Sequence, residues 1–442
     1  MKLKKIGLAL SGGGQRAVAF HLGVLKTLYD KNILDNINII SAISGGSIIA
    51  ACYLLKKSSF EEFYDTINKK LEVNIESKIV FNKFFLWRIA ILLILILSFL
   101  YVVLIPNIPL ILLLLLPIIF LPKYLFKVFP TGKCLQKVYD EVFYNYKSLK
   151  DLPDKPQVIF NSTNLQTGTL MTFSKKEIND SSYLYKYGHV PKFYTSEVPI
   201  SFVVAASTGF APLISPLKFD KKYFVDYSYA AKKKIIPELV DGGLYDNQGV
   251  YKLSKEKLDV LICSDASAPY DRVKYIAINP FGLLMRTISI LMKRIRSFQY
   301  VDSIYNTPSI SEIAYLSIDW QYDTCVNNFA YLALDNKVKK NILEGHSIPA
   351  HLLSYSNYED KINKASQLII YLRDKINYKE IIKGGLTNDQ IKNISKISTR
   401  LCGLKKNDIK NLINHGKILT AIQLRLYCPS VFLNSYSTQQ VI

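Results

Sequence analysis

Between Phe84 and Lys127 the chain carries two almost wholly apolar runs, Ile89 to Ile105 and Ile108 to Leu121, separated by Pro106-Asn107. A folded chain does not leave that much contiguous aliphatic surface in water. The runs supply about 17 and about 14 residues, against the roughly 20 that a spanning helix needs at about 1.5 Å each, and Pro117 interrupts the second. Basic residues flank both outer ends, Lys78, Lys83 and Arg88 before and Lys123 and Lys127 after. Lysine and arginine accumulate on the cytoplasmic side of membrane segments, so both ends belong on that side. The segment is expected to form a membrane-associated hairpin, either two short transmembrane helices or a re-entrant dip. A buried hairpin in a soluble core is the alternative, disfavoured by the scarcity of small residues in the runs.

The pattern on either side of this insertion is that of an α/β protein. Before it, strand Lys5 to Leu10, helix Arg16 to Tyr29, strand Ile37 to Ile43 and helix Ser47 to Leu55 alternate with sharp loops, the order that makes a parallel, helix-covered sheet. After it, strands are expected at Val158 to Asn161 and Thr169 to Phe173, a helix near Val198 to Ser207, strands ending at Val240 and Ser264, and a helix across Leu283 to Phe298. From about Tyr331 the chain turns into Lys-, Asn- and Ile-rich helical stretches.

The 442 residues, 49% of them apolar, exclude a disordered or disulfide-stapled chain. The balance of 56 basic against 35 acidic residues gives +21, so an acidic surface is expected to bind it. Anionic lipid fits better than nucleic acid, for which there is no motif and no aromatic-basic interleaving. The six cysteines form no C-x-x-C pair and no metal-ligand spacing with the five histidines, which reads as reduced structural thiols in a cytosol-facing compartment. The basic Met1 to Lys5 is followed by an apolar run that stops at Leu10, too short for a secretory signal.

Three constellations carry chemistry. Ser11-Gly12-Gly13-Gly14-Gln15-Arg16-Ala17 lies between an apolar strand and a helix, where successive N–H groups and the helix dipole can hold an anion or an oxyanion. The same residues satisfy a dinucleotide fingerprint, Gly12-x-Gly14-x-x-Ala17, but no acid ends the second strand, and Asp30 and Asp35 precede it. A Walker loop fails for want of Lys-Ser/Thr. In the acid's place stands Ala42-Ile43-Ser44-Gly45-Gly46, a serine at a strand-to-helix turn between small residues, which is the pattern of a nucleophile elbow or of an ordinary helix cap. The third is Val240-Asp241-Gly242-Gly243-Leu244-Tyr245-Asp246-Asn247, an aspartate at a strand end, or simply a turn.

Taken together and in this order, the three resemble the G-G-G-x-R-G loop, G-x-S-x-G nucleophile and D-G-G/A aspartate of the patatin-like phospholipase family. The resemblance extends through Ala19 to Leu25, Asn161 to Gly168 and Ser207 to Pro212, and covers roughly Lys5 to Ser264. Ala17 and Ala42 stand where the family has glycine. The resemblance implies a three-layer α/β fold with a mostly parallel central sheet, interrupted by the hydrophobic helical hairpin and followed by a helical C-terminal region. On that reading residues 1–75 hold the oxyanion loop and nucleophile, 76–130 the insertion, 131–330 the rest of the domain with the aspartate, and 331–442 the C-terminal helices. It makes Ser44 the nucleophile and Asp241 its base, with Gly12, Gly13 and Gly14 as the oxyanion hole and Gly46, Gly242 and Gly243 in support. Arg16 would brace the loop or meet a substrate phosphate. No metal or cofactor is called for. The expected activity is hydrolysis of phospholipid or another lipid ester at the cytoplasmic face of a membrane, with the need for a protein activator left open. The alternatives are a Ser-His-Asp hydrolase using His346 or His351, and a membrane scaffold without activity.

Overall fold

Ile6–Leu10, Ile37–Ala42 and Val260–Asp265 are apolar and buried almost throughout, as the middle strands of a helix-covered parallel sheet must be. A computed structural model of the chain describes residues 4–104, 123–269, 279–300 and 310–431. In it these runs are strands β1, β2 and β8 of a nine-stranded sheet. β1 is central, parallel to β2 on one side and to β8 on the other. β3 (Gln157–Asn164) lies parallel beyond β2, and β9 (Glu312–Ser317), which the sequence pattern did not announce, lies parallel beyond β8. The remaining strands, β4 (Thr169–Phe173), β5 (Ile178–Asn179), β6 (Leu217–Lys218) and β7 (Glu238–Asp241), pair antiparallel at the β3 end.

One detail of this register creates the site. Ile39–Ala42 of β2 pair with Gln157–Phe160 of β3, while Leu239–Asp241 of β7 pair in the opposite direction with Ser162–Asn164. Because β4 occupies the other edge of β3, β2 and β7 share one edge and run towards each other. Their C-terminal ends meet at Asn161.

Side chains alternate across the sheet with the two-residue period of a strand. Leu8, Leu10, Ile40 and Ile262 enter the main core with Phe20 and Val24 of α1 (Gly14–Asp30) and Ile48 of α2 (Gly45–Leu54). Ala9, Ile39, Leu261 and Cys263 enter a smaller cluster on the opposite face with Val250 and Leu253. All six cysteines are free, and four of them are buried.

The C-terminal helices belong to the main core. They start with Tyr322–Leu334, so the boundary expected at 331 falls inside a helix. The last, Lys406–Tyr427, crosses α1 backbone to backbone: a Cβ on Gly23 would stand 2.1 Å from the Ile413 carbonyl oxygen, and one on Gly416 would stand 2.3 Å from that of Phe20. Any side chain at either position would force the helices apart.

After α3 (Phe60–Lys70) and the short α4 (Ile75–Val80), the first apolar run forms α5 (Lys83–Leu104), with Trp87, Leu97 and Leu104 exposed. The expected transmembrane helix is not found, because among the described residues no helix is long and apolar enough to cross a membrane. At about 1.5 Å per residue the apolar stretch from Ile89 to Leu104 reaches about 24 Å, short of about 30 Å of bilayer hydrocarbon. The second run, 108–121, lies outside the described residues. Phe85 packs on Phe129 with ring centroids 5.2 Å apart, and Arg88 donates to the Val128 carbonyl. The insertion therefore leaves the body and rejoins it at one place.

Candidate active site

The glycine loop joins β1 to α1. Gly13 and Gly14 have φ of 143° and 61°, values at which a side chain would be strained, and with them the chain turns sharply from strand into helix. The Gly12 N–H donates to the Asn247 carbonyl at 3.0 Å. Gly12 is thereby removed from the oxyanion hole expected of Gly12, Gly13 and Gly14, since its only donor is taken by a backbone acceptor. Among the described residues, the N–H groups of Gly13 and Gly14 have no protein acceptor.

Ser44 occupies the N-cap position of α2 with φ 49° and ψ −120°, a strained conformation for a non-glycine residue that costs on the order of 1–3 kcal/mol. Its side chain does not cap the helix. Instead Ser44 Oγ donates to Asp241 Oδ2 at 2.9 Å, so the cap reading does not hold. The turn is fixed by its surroundings. The Ser44 N–H donates to Ser207 Oγ at 2.9 Å, and Ser207 Oγ donates to the Asn161 carbonyl at 2.7 Å. Asn161 Nδ2 in turn donates to Ser41 Oγ and to the Ala42 carbonyl, each at 3.0 Å. Gly46 lies so close to β1 that a Cβ would stand 2.2 Å from the Leu10 carbonyl oxygen, and one on Gly45 would stand 2.3 Å from that of Gly14. Elbow and glycine loop are therefore in backbone contact. The Ala17 methyl is buried between them, in reach of both Gly13 and Gly45.

Asp241 ends β7. Its N–H donates to the Gly209 carbonyl at 3.0 Å and its Oδ1 accepts the Gly243 N–H at 2.7 Å, leaving Oδ2 for Ser44. Gly242 and Gly243 have no room for side chains, since a Cβ would stand 2.4 Å from the Asn161 carbonyl oxygen and 2.5 Å from Asn247 Oδ1 respectively. Burial pushes the Asp241 carboxyl up to about 6, against the pull of the hydrogen bonds from Gly243 and Ser44.

Arg16 resolves into a brace. Its guanidinium is fully buried and donates to three backbone carbonyls, Nη1 to Ser395 at 2.8 Å and Ile397 at 2.7 Å, Nη2 to Ala266 at 2.7 Å. A group so enclosed cannot meet a substrate phosphate. Burial lowers its pKa to about 10, with Asp265 pulling the other way. His21 is held between Ser264 Oγ at 2.7 Å and the Ser11 carbonyl at 3.0 Å, and burial drops it to about 4, so it is neutral. Among the described residues no histidine hydrogen-bonds to Ser44 or Asp241, and the His346 ring is turned to the Leu426 carbonyl at 2.8 Å. The Ser-His-Asp alternative therefore has no histidine at the site.

Three residues of the site escaped sequence reasoning as individuals: Ser207, Asn161 and Asn247. All stand in segments that carry the family resemblance, so their position was visible although their bonds were not.

The site thus joins a strand-end serine to an aspartate by a direct hydrogen bond, beside a glycine loop at the next strand end, with no histidine bonded to either among the described residues. Residues 8–252 match the patatin-like phospholipase family, and the chain belongs to that family. Among solved structures it is similar to human GIVD cytosolic phospholipase A2, at 13% identity over 98% of this chain and 63% of that one, with a TM-score of 0.49. The same protein in complex with methyl gamma-linolenyl fluorophosphonate gives 13% identity over 98% and 60%, with a TM-score of 0.44. VipD from Legionella pneumophila gives 16% identity over 99% and 88%, with a TM-score of 0.32. The chain spans 60–63% of the length of the two phospholipase structures. No curated protein matches it.

Proposed function

We propose that the chain hydrolyses acyl esters of lipids, of the phospholipase A or lysophospholipase type, with Ser44 as nucleophile and Asp241 as base. The observation that carries this is the Ser44 Oγ to Asp241 Oδ2 hydrogen bond of 2.9 Å, made by a serine that sits at a helix cap without capping it. Asp241 takes the Ser44 proton as Oγ bonds to the ester carbonyl carbon. The carbonyl oxygen becomes an oxyanion held by the N–H groups of Gly13 and Gly14 at the start of α1. When the tetrahedral adduct collapses, the C–O bond to the alcohol breaks and Asp241 returns its proton to the leaving oxygen. Water then attacks the acyl-serine, giving Asp241 a proton that is passed back to Ser44 as the fatty acid departs. A carboxyl at about 6 is a stronger base than an ordinary aspartate and is still ionised at neutral pH.

The substrate surface in this reading is an anionic membrane facing the cytoplasm. Two helices support it: α5, with its exposed Trp87 and Leu97, and Pro280–Gln299, with Phe281, Leu284, Leu291 and Phe298 exposed among Arg286, Lys293 and Arg294. The net charge of +21 favours the same surface. The test is sedimentation with vesicles of phosphatidylglycerol and phosphatidylcholine against phosphatidylcholine alone, with fatty-acid release measured in both. Binding and release that favour the anionic vesicles support the reading, and release from neither contradicts it.

A further inference from the structure

Three consecutive residues at the start of α1 are held by one distant segment, residues 395–401. Gly14, at φ 61°, lies against it so closely that a Cβ would stand 2.1 Å from the Thr399 carbonyl oxygen. The Gln15 N–H donates to the Arg400 carbonyl at 3.3 Å, and Gln15 Nε2 donates to the carbonyls of Val73 at 2.7 Å and Leu401 at 3.3 Å. Arg16 reaches the carbonyls of Ser395 and Ile397. The direction of the Gly13 and Gly14 N–H groups is therefore set by where this segment lies.

The segment has its own anchor. Glu76, in the first turn of α4, accepts the Leu401 N–H through Oε1 at 2.9 Å and Arg400 Nε through Oε2 at 2.9 Å. The Ile75 N–H donates to the Leu401 carbonyl at 3.0 Å, and the Leu404 N–H to that of Leu71 at 2.9 Å. α4 stands immediately before α5, so the foot of the apolar insertion and the oxyanion loop grip the same stretch of chain.

We propose that residues 395–401, pinned by Glu76, form a positioning element for the oxyanion N–H groups, and that Glu76 and Arg400 are positioning residues for the hydrolysis. The inference rests on the reading of Ser44 and Asp241 given above. An anchor of this kind acts on the transition state, where the N–H groups must meet a developing oxyanion, and not on substrate affinity. A donor displaced by a fraction of an ångström loses most of its value, and removing an oxyanion donor outright costs about 100- to 1,000-fold in kcat.

The experiment uses the full chain, a soluble ester such as p-nitrophenyl butyrate, and end-point titration of the reactive serine with a fluorophosphonate. Titration counts competent sites, so a variant that merely unfolds in part loses sites but keeps its kcat per titrated serine. Glu76→Ala is expected to lose at least about tenfold in kcat per titrated serine with KM within about twofold of the parent. Glu76→Gln keeps an acceptor for the Leu401 N–H and is expected to recover most of the loss. Arg400→Ala, which truncates an exposed side chain and leaves the core intact, is expected to lose at least about threefold on the same measure. If Glu76→Ala and Arg400→Ala both keep the parental kcat per titrated serine, whatever their melting temperatures, the positioning role is overturned. A parent chain that neither titrates nor turns over overturns the dyad reading, and this proposal with it.

Discussion

Ser44 Oγ and Asp241 Oδ2 lie 2.9 Å apart although 197 residues separate them in the chain. The pairing follows from β3, along one edge of which β2 and β7 run towards each other until only Asn161 stands between them. Both residues are held in costly states, Ser44 with a positive φ and Asp241 with its carboxylate buried. Such local costs cluster where a fold is committed to chemistry.

In the proposed mechanism the pH dependence of hydrolysis is set by the Asp241 carboxyl. Asp241 accepts a proton only when ionised, and burial raises it to about 6. On a soluble ester, kcat/KM is expected to rise with pH through about 6 and then level off. A rise centred near the ordinary aspartate value of about 4 would show that the site is wetter than its burial indicates.

The same shift makes Asp241 a liability for stability. Its folded pKa lies above the unfolded value, so its contribution is fully present below about 4 and is lost as pH rises through about 6. A shift of two units corresponds to about 3 kcal/mol. Asp241→Asn keeps an acceptor for the Gly243 N–H and removes the charge. In urea melts at pH 8 it is expected to be more stable than the parent by on the order of 1–3 kcal/mol, the gap narrowing at pH 5, while turnover drops by at least about 1,000-fold. Equal loss of stability and activity would argue for a structural aspartate.

Ser207 Oγ joins the Ser44 N–H to the Asn161 carbonyl and so holds the turn at Ser44. Ser207→Ala leaves the buried Ser44 N–H and the Asn161 carbonyl without their partner. The expected cost is about 1–3 kcal/mol in denaturant melts, with a fall in kcat larger than any change in KM. An unchanged kcat would mean that the backbone strain at Ser44 is held by its glycine contacts alone.

Pro280–Gln299 is tied down at its C-terminal end by Arg296, whose Nε lies 2.7 Å from Asp265 Oδ2. Burial alone would raise the Asp265 carboxyl, but Arg296 and the hydrogen bonds from Ser267 and Tyr315 outweigh it and hold it at about 2. That stabilisation is present above about 4 and lost as pH falls towards 2. Arg296→Met strands a buried carboxylate, and melts at pH 7 are expected to show a loss of about 3–5 kcal/mol that shrinks in acid. A loss independent of pH would point to packing instead.

What the sequence made legible is what local backbone geometry demands. A strand running into Gly12-Gly13-Gly14, and another into Ser44-Gly45-Gly46, can be read from the glycine runs themselves, and the positive φ of Gly13 and Gly14 is a local demand of the first turn. What depends on remote chain could not be read. Gly12 looks equivalent to its neighbours until Asn247 arrives to take its N–H. Arg16 looks free to meet a phosphate until Ser395 and Ile397 close over it. The C-terminal helices look like an appendage because their apolar face gives no hint of what it covers. Gly23 and Gly416 were the available clue, since a glycine inside a helix costs about 1 kcal/mol and commonly marks a close crossing. Composition and flanking charge mark the insertion as membrane-associated and leave a span and a re-entrant dip both open; among the described residues no helix is long and apolar enough to cross.

The most direct test of the account is fluorophosphonate labelling of the detergent-purified full chain beside Ser44→Ala and Asp241→Asn, with fatty-acid release from mixed phospholipid vesicles measured on the same samples. The account predicts one label per chain on Ser44, none in Ser44→Ala, labelling slowed by at least about 100-fold in Asp241→Asn, and release only from the parent. Labelling or release that survives in Ser44→Ala would contradict it.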